Sequence, residues 1–312
     1  HEKGRLFVVG DIHGCYDDLM RLIDEIEHRD KDARYLFLGD LIDRGPQVYE
    51  VLQWSLSNIS SDGKFQSLRG NHEENIIRWY AKWKEWQKNT VRTLQSPETK
   101  YMFHQVLLEH DMLKEETLEP IIKLFSSFPY NKDILMTPVV DGMQGNVVHY
   151  FIAHGWYLIL ENKDTEKQHW VNLNGRSCDG ISMRELDRYR EDSDEIPIVI
   201  CGHTPTISSI YTSSKSGVEG ANAPGMIGYR PHTVFADGGC WRQYDVLEYP
   251  CMLGALCLDT LEEIYPCSLS QRMEHCNEHL MEYSRNFLQA ENPYRKALIE
   301  KILTKGEHIE MH

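Results

Sequence analysis

The sequence lacks long hydrophobic runs, a secretion signal and an excess of positive charge. No apolar stretch approaches the roughly 18 residues that a membrane-spanning helix needs, and the residues before the first predicted strand show no signal-peptide pattern. The chain carries 33 lysines and arginines against 48 acidic residues, which gives a formal net charge of −15. Because binding to a phosphate backbone relies on clustered basic side chains, we expect a cytoplasmic protein without nucleic-acid or membrane partners.

Cysteine pairs and nucleotide-binding loops are also missing. The eight cysteines include no Cys-x-x-Cys pair, so in a chain of this length they indicate reduced thiols rather than disulfides. No cysteine lies in a phosphate-cradling loop, which argues against cysteine-dependent phosphate chemistry. No Gly-x-x-x-x-Gly-Lys loop exists for nucleotide-driven chemistry. Any chemistry of this chain must therefore rest on other residue types.

Short apolar runs followed by amphipathic helical patterns make up much of the chain. Hydrophobic residues account for 41% and charged residues for 26%, close to the average of soluble globular proteins. The alternation of strand and helix signals indicates an α/β (α+β) protein. We predict one large domain over residues 1–267, with a helical insert at about 74–128, and a helical C-terminal extension over residues 268–312.

The predicted insert contains an aromatic stripe at helical spacing, formed by Ile76, Trp79, Tyr80, Trp83 and Trp86. The stripe has two compatible interpretations. It can form a cap or wall over a binding site, or it can be the packing face of a helix. For the individual residues we favour packing.

Polar side chains follow three successive predicted strands. The loops are residues 10–14 (Gly-Asp-Ile-His-Gly), 39–45 (Gly-Asp-Leu-Ile-Asp-Arg-Gly) and 69–73 (Arg-Gly-Asn-His-Glu). Glycine and aspartate are also ordinary turn residues, so one such loop alone proves little. Three of them are improbable by chance, and open α/β sheets bind ligands at the carboxyl ends of their strands. We therefore expect these side chains to form one site.

Three later strands also end in polar residues. His154 follows the run 147–153, and His203 follows the run 196–201. A histidine in this position can be a core residue, but the three earlier clusters favour a ligand role. Asp237 follows the run 233–236, and the sequence leaves its role open.

The predicted metal ligands combine carboxylate, amide and imidazole groups: Asp11, His13, Asp40, Asn71, His154 and His203. This mixture suits Mn²⁺, with Fe or Zn²⁺ as alternatives, better than it suits Mg²⁺ or Ca²⁺. The set is too large for one ion that keeps an open position, and it fits two ions that share one carboxylate. Two such ions can hold a hydroxide between them for in-line attack on phosphorus.

Charged side chains beside these ligands are predicted to act on a phosphate group. Arg44, Arg69 and Arg176 can bind phosphoryl oxygens bidentately, and a plain surface charge is the alternative for each. His72 is predicted to protonate the leaving oxygen as a general acid. Asp43 is predicted to orient His72 and to raise its pKa.

The motifs at 10–14, 39–45 and 70–73 resemble the signature of the PPP-type serine/threonine protein phosphatases within the calcineurin-like metallophosphoesterases. The chain looks most similar to the compact bacterial and phage members. With the two later histidines, the resemblance covers roughly residues 5–240. It implies a metallophosphatase catalytic domain, built as a β-sandwich flanked by helices with a dimetal site at the strand ends. The insert and the C-terminal extension are this chain's own.

The resemblance also implies individual roles. One ion is held by Asp11, His13 and Asp40, and the other by Asp40, Asn71, His154 and His203. Arg44 and a later arginine contact phosphate, and the Asp43–His72 pair supplies the proton. Arg176 is the candidate for the later arginine, although its distance from Trp170 departs from the family's pattern.

We predict a metal-dependent phosphomonoesterase that acts on phosphoserine, phosphothreonine or phosphotyrosine in proteins, or on small phosphoesters. The enzymatic alternative is a diadenosine tetraphosphate hydrolase. By resemblance, that group commonly has Ala at the position of Asp43 and Asp at the position of Glu73, so both residues favour the protein phosphatase. The non-enzymatic alternative is a phosphoprotein-binding scaffold, which should have lost ligands, whereas all six are present here. The native metal pair, the physiological substrate and the oligomeric state stay open.

Overall fold

The computed structural model describes residues 4–88, 97–98, 102–155, 197–206, 225–230, 232–244, 251–268, 271 and 292–304. Its strands are β1 (Leu6–Val9), β2 (Arg34–Phe37), β3 (Phe65–Ser67), β4 (Asn131–Met136), β5 (Val139–Val140), β6 (Met143–Gln144), β7 (Val148–Ala153), β8 (Ile198–Cys201), β9 (Gly228–Arg230), β10 (Thr233–Phe235), β11 (Ala255–Cys257) and β12 (Glu263–Ile264). Its α-helices are α1 (Tyr16–Arg29), α2 (Val48–Asn58), α3 (Asn71–Lys88), α4 (Phe103–Glu109), α5 (Glu115–Ser127) and α6 (Pro293–Thr304).

The strands form two five-stranded sheets and a small β5–β6 pair. The first sheet has the order β12-β11-β1-β2-β3, and the second has the order β4-β7-β8-β10-β9. Within the first sheet β1, β2 and β3 are parallel, and within the second β7, β8 and β10 are parallel. The remaining pairings are antiparallel. Each sheet therefore contains three adjacent parallel strands, and the carboxyl ends of those three strands lie at the same end of the sheet.

Two hydrophobic cores follow from the alternation of side chains along each strand. In β1, Val8 faces the core between the two sheets, while Phe7 and Val9 face the core under the helices. In α1, the buried residues Leu19 and Leu22 recur at helical spacing and pack into the core under the helices. A fully buried side chain of this kind contributes about 1.5–3 kcal/mol relative to its exposed state. The predicted fold class, a β-sandwich flanked by helices, is confirmed.

The predicted insert contains three helices, and its aromatic stripe packs inward. Helix α3 starts at Asn71, slightly before the predicted insert, and α4 and α5 follow it. Ile76, Trp79 and Trp83 are buried in the core under the helices, and Trp79 and Trp83 lie 6.1 Å apart between ring centroids. The contacts of these side chains are therefore those of a packing face.

Only part of the predicted C-terminal extension is among the described residues. Helix α6 packs against the core between the sheets through the buried side chain of Ile302. In the part of the chain that the structure describes, no helix is long and apolar enough to cross a membrane. The domain boundaries stay predictions.

Candidate metal centre

The carboxyl ends of the six parallel strands meet at one edge of the sandwich. The loops after β1, β2 and β3 carry Asp11 with His13, Asp40 with Asp43, and Asn71 with His72. The loops after β7, β8 and β10 carry His154, His203 and Asp237. The structure thus brings together residues that lie more than 190 positions apart in sequence, such as Asp11 and His203.

Asp40 lies at the centre of this edge. Its Oδ2 is 3.4 Å from His13 Nε2, 3.4 Å from His154 Nε2 and 3.8 Å from His72 Nε2. Its Oδ1 accepts a hydrogen bond from the backbone N–H of His72 at 3.0 Å. Burial opposes ionisation of Asp40, but the neighbouring charges of His154 and His72 outweigh it and lower the pKa of Asp40 well below its usual value. The carboxylate form is therefore favoured at the centre of the cluster.

The remaining predicted ligands lie beside Asp40. Asn71 Oδ1 is 3.0 Å from His154 Nε2 and 2.8 Å from His203 Nδ1. The backbone N–H of His203 donates to Asp11 Oδ2 at 3.0 Å. Two sets of side chains have ligand atoms within 4.8 Å of one another, namely Asp40 with His154 and His203, and Asp40 with His13 and His72. Asp40 is common to both sets, as expected of a carboxylate that two ions share.

The chemistry of these side chains fits a bound cation. His154 Nδ1 lies 3.0 Å from the carbonyl oxygen of Leu38, and an Nδ1–H donated there leaves a lone pair on Nε2. That lone pair faces Asn71 Oδ1, which is also an acceptor. A cation bound to both atoms satisfies this contact, and so does a proton on Nε2: burial opposes that proton, but Asp40 and Asp11 outweigh burial and raise the pKa of His154 to about 9. In addition, Asp11 Oδ1 is buried and has no hydrogen-bond partner in the part of the chain described.

The backbone is strained at the residues that carry the site. Positive φ angles occur at His13 (45°), Asp40 (48°), Asp43 (68°), Arg44 (71°) and His203 (64°). The left-handed region is rare for residues other than glycine, costs about 1–3 kcal/mol per residue, and clusters at active sites. The positive φ angles therefore fall on the loops that carry the predicted site residues.

Two glycines allow the loops to approach the carboxylates. A Cβ atom at Gly202 would lie 2.1 Å from Asp11 Oδ1, and one at Gly70 would lie 2.2 Å from Asp40 Oδ1. Both distances are far shorter than a van der Waals contact, so any side chain at these positions would displace a predicted ligand. The Gly-Asn and Gly-His pairs of the sequence therefore have a steric reason.

Glu73 links the loop that carries Asp40 to the loop that carries Asn71. Its carboxylate accepts hydrogen bonds from the backbone N–H groups of Asp40, Gly70 and Leu41, each at 2.9 Å. The side chain is fully buried, and burial raises its pKa to about 7. Sequence reasoning used Glu73 only to separate substrate classes and did not find this role.

Replacing Glu73 by Gln should destabilise the protein by about 1–3 kcal/mol, because the amide offers one acceptor oxygen and turns an NH₂ group toward a backbone donor. Urea unfolding followed by circular dichroism measures the change. Glu116→Gln is the matched control, since Glu116 is exposed on α5. Equal unfolding midpoints for both variants would contradict the role of Glu73.

His72 and Asp43 form a buried pair next to Asp40. His72 Nδ1 lies 2.6 Å from Asp43 Oδ2, and both side chains have no exposed surface. Asp43 Oδ1 accepts a hydrogen bond from the backbone N–H of Phe103 at 2.8 Å, so the insert helps to hold the pair. Burial opposes protonation of His72, but Asp40 and Asp43 outweigh it and raise its pKa. The pair can keep a proton on the imidazole.

The three predicted phosphate arginines have different surroundings. Arg44 is exposed, and its guanidinium lies 4.6 Å from the ring centroid of Trp241. Arg69 donates to Glu74 at 3.1 Å, to Tyr130 Oη at 2.8 Å and to the backbone of helix α5. These contacts favour a structural role for Arg69. Arg176 lies outside the described residues.

Asp237 is a further buried carboxyl group at this edge. Its Oδ1 accepts a hydrogen bond from the backbone N–H of Gly239 at 2.8 Å, whereas Oδ2 has no partner among the described residues. Burial raises its pKa to about 6, although the nearby Arg44 opposes the rise. Asp237 and Trp241 thus lie beside the site, although the sequence pattern predicts no role for either residue.

Comparison with known proteins identifies a matching family and several similar proteins. The family described as calcineurin-like phosphoesterase matches residues 4–207. A symmetrical bis(5'-nucleosyl)-tetraphosphatase of Buchnera aphidicola is 36% identical over 31% of this chain and 35% of its own length. The asymmetrical bis(5'-nucleosyl)-tetraphosphatase PrpE of Halalkalibacterium halodurans is 30% identical over 47% of this chain and 64% of its own length. The chain thus spans less than two thirds of either relative.

Protein phosphatases are also among the similar proteins. The catalytic subunit A1 of serine/threonine-protein phosphatase 2B from Saccharomyces cerevisiae is 43% identical over 23% of this chain and 13% of its own length. The solved structure of a cold-active protein-tyrosine phosphatase from a Shewanella species has a TM-score of 0.46 at 14% identity, covering 84% of this chain and 77% of that one. A structural likeness at this level carries no statement about substrate.

Proposed function

The chain belongs to the calcineurin-like phosphoesterase family, and we propose that it is a phosphomonoesterase that hydrolyses phosphoserine, phosphothreonine or phosphotyrosine in proteins. The observation that carries this proposal is the buried contact of 2.6 Å between His72 and Asp43. An alkoxide leaving group, as serine or threonine provides, needs a proton as the bond to phosphorus breaks. The His72–Asp43 pair can hold that proton on the imidazole of His72.

Two divalent ions would be held by the strand-end side chains. Asp11, His13 and Asp40 would bind one ion, and Asp40 with Asn71, His154 and His203 would bind the other. When bound, such ions stabilise the negative charge on the phosphoryl oxygens and lower the pKa of a bound water molecule to near neutrality. We propose Mn²⁺ for this mixed set, with Fe or Zn²⁺ as alternatives.

The side chains around the ligands then have separate tasks. His72 would donate a proton from Nε2 to the leaving oxygen, while Asp43 accepts the hydrogen bond from Nδ1 and fixes the ring. Arg44 would bind the phosphoryl oxygens through its planar guanidinium. Because Arg44 is exposed, it can contact a phosphate group as that group arrives.

Hydrolysis of diadenosine tetraphosphate is the second candidate, because two of the similar proteins are named as bis(5'-nucleosyl)-tetraphosphatases. Two residues favour the protein phosphatase instead. Asp43 and Glu73 stand where, by resemblance, the tetraphosphatases commonly have Ala and Asp. Asp43 makes the contact with His72, and Glu73 makes three hydrogen bonds to the ligand loops.

Side-by-side kinetics with Mn²⁺ test the choice of substrate. We expect kcat/KM to be higher for phosphoserine, phosphothreonine or phosphotyrosine peptides than for diadenosine tetraphosphate. Asp43→Ala, which introduces the residue common in the tetraphosphatases, should reduce the preference for alkyl phosphoesters. A wild-type protein that prefers diadenosine tetraphosphate would overturn the proposal and leave the family unchanged.

A further inference from the structure

A second arginine lies close to the candidate phosphate-binding residue Arg44. Trp241 belongs to a short 3₁₀ helix, Cys240–Tyr244, that follows the loop of Asp237. The guanidinium carbons of Arg44 and Arg242 lie 4.6 and 4.8 Å from the centroid of the Trp241 ring. The same ring meets the edge of His13 at 6.3 Å. Both arginines thus contact the ring of Trp241, which lies beside the predicted metal ligand His13.

The 3₁₀ helix is fixed to the loops of the site. The thiol of Cys240 lies 3.3 Å from the backbone oxygen of Asp11, and the amide of Gln243 donates to the side chain of Asp18 in α1. Gln243 also donates to the backbone oxygen of Cys240 at 2.8 Å. The backbone that carries Arg242 is therefore held at a set position relative to a predicted metal ligand.

In the part of the chain that the structure describes, neither guanidinium forms an ion pair with a carboxylate, although Asp237 is near enough for Arg44 to lower its pKa. Among the described residues, no carboxylate lies within ion-pair distance of Arg44 or Arg242, although the chain has a formal net charge of −15. Arg69, by comparison, is paired with Glu74. The Nε of Arg242 and the Nε1 of Trp241 are in addition buried donors without an acceptor in the same part of the chain. Unpaired donors beside a phosphate site attract an anion.

We propose that Arg242 binds a second anionic group of the substrate, beside the phosphate that is hydrolysed. Arg242 is placed for this by its contact with the ring of Trp241, which Arg44 also contacts. The ligand chemistry is a carboxylate or phosphate oxygen that accepts from a planar guanidinium. This inference rests on the proposed function, under which the group is an acidic or phosphorylated residue next to the target residue. A polyphosphate chain offers the same chemistry, and the experiment separates the two sources.

Matched peptides measure this preference. The first has alanine directly after phosphoserine and the second has aspartate there, with diadenosine tetraphosphate and p-nitrophenyl phosphate as further substrates. Wild type should have the higher kcat/KM on the aspartate peptide. Arg242→Ala should lower the ratio of aspartate to alanine peptide by about tenfold, the size of one charge-assisted hydrogen bond, mainly through KM. Arg242→Lys should restore part of the ratio.

Arg29→Ala controls for the loss of a positive charge alone, because Arg29 is 41% exposed in the last turn of α1, where it pairs with Glu25 and Glu262. An equal peptide ratio in wild type and Arg242→Ala, with no change in the rate on diadenosine tetraphosphate relative to p-nitrophenyl phosphate, overturns the inference. A tenfold loss confined to diadenosine tetraphosphate supports the subsite and assigns it to polyphosphate. If wild type hydrolyses p-nitrophenyl phosphate but neither peptide, the proposed function fails. The effect of Arg242→Ala on the rate with diadenosine tetraphosphate, relative to p-nitrophenyl phosphate, then shows whether Arg242 forms the subsite.

Discussion

Asp40→Asn should abolish hydrolysis of p-nitrophenyl phosphate and lower the metal content of the purified protein. Asp40 is the one side chain common to both candidate ligand sets, and its Oδ2 lies within 3.8 Å of three imidazoles. Asparagine keeps the shape but removes the negative charge that two cations would share. We expect a loss of activity of at least about 10³-fold, the upper range for losing one electrostatic stabiliser.

Metal analysis by mass spectrometry and a phosphate-release assay check this result on the same sample. Asp133→Asn is the control, because Asp133 is 55% exposed on β4 and its hydrogen bonds are with Asn131 of the same strand and His149 of β7. Circular dichroism establishes that both variants are folded. Asp40→Asn protein with wild-type metal content and turnover would rule out a shared carboxylate at this position.

His72→Asn should reduce turnover by about 10²–10⁴-fold while the metal content stays at the wild-type level, because general-acid catalysis contributes this much. His72 is fully buried and bound to Asp43 at 2.6 Å, and it lies farther from Asp40 Oδ2 than His13 or His154 does. The loss should be larger on a phosphoserine peptide than on p-nitrophenyl phosphate, since nitrophenolate leaves readily without a proton.

Asp43→Asn is the companion variant, because it keeps the size of the side chain and removes one of the two carboxylates, Asp40 and Asp43, that raise the pKa of His72. It should show the same dependence on the leaving group with a smaller loss. Metal loss in His72→Asn would instead make His72 a ligand, in line with its position in the set with His13 and Asp40. Equal losses on both substrates would remove the general-acid assignment.

The strand-end residues could be predicted because their signal is local. A short apolar run followed by Gly-Asp, Gly-Asn or Gly-His gives both the strand and the polar residue at its end, and parallel strands bring such ends together. The family resemblance, confirmed by the match over residues 4–207, rests on the same motifs. The steric reason for Gly70 and Gly202 is visible only once the carboxylates of other loops are in place.

The parts that the sequence did not show depend on contacts between distant residues. The donor to Asp43 is the backbone N–H of Phe103, which any residue except proline provides and which carries no sequence signal. The ring of Trp241 contacts Arg44, a residue far away in the sequence. Strand β4 was not predicted, because it lies partly exposed at a sheet edge and only its last three residues are apolar.

Reloading metal-free protein tests whether the strand-end residues hold two ions for phosphoester hydrolysis. Chelated protein is titrated with Mn²⁺, Fe²⁺ or Zn²⁺ while phosphate release from p-nitrophenyl phosphate is recorded. We expect no release without metal and full activity once about two equivalents per chain are bound. Activity that survives chelation, or wild-type protein that stays inactive with all three metals, would contradict a metal-dependent hydrolase, and the second result would favour the phosphoprotein-binding scaffold.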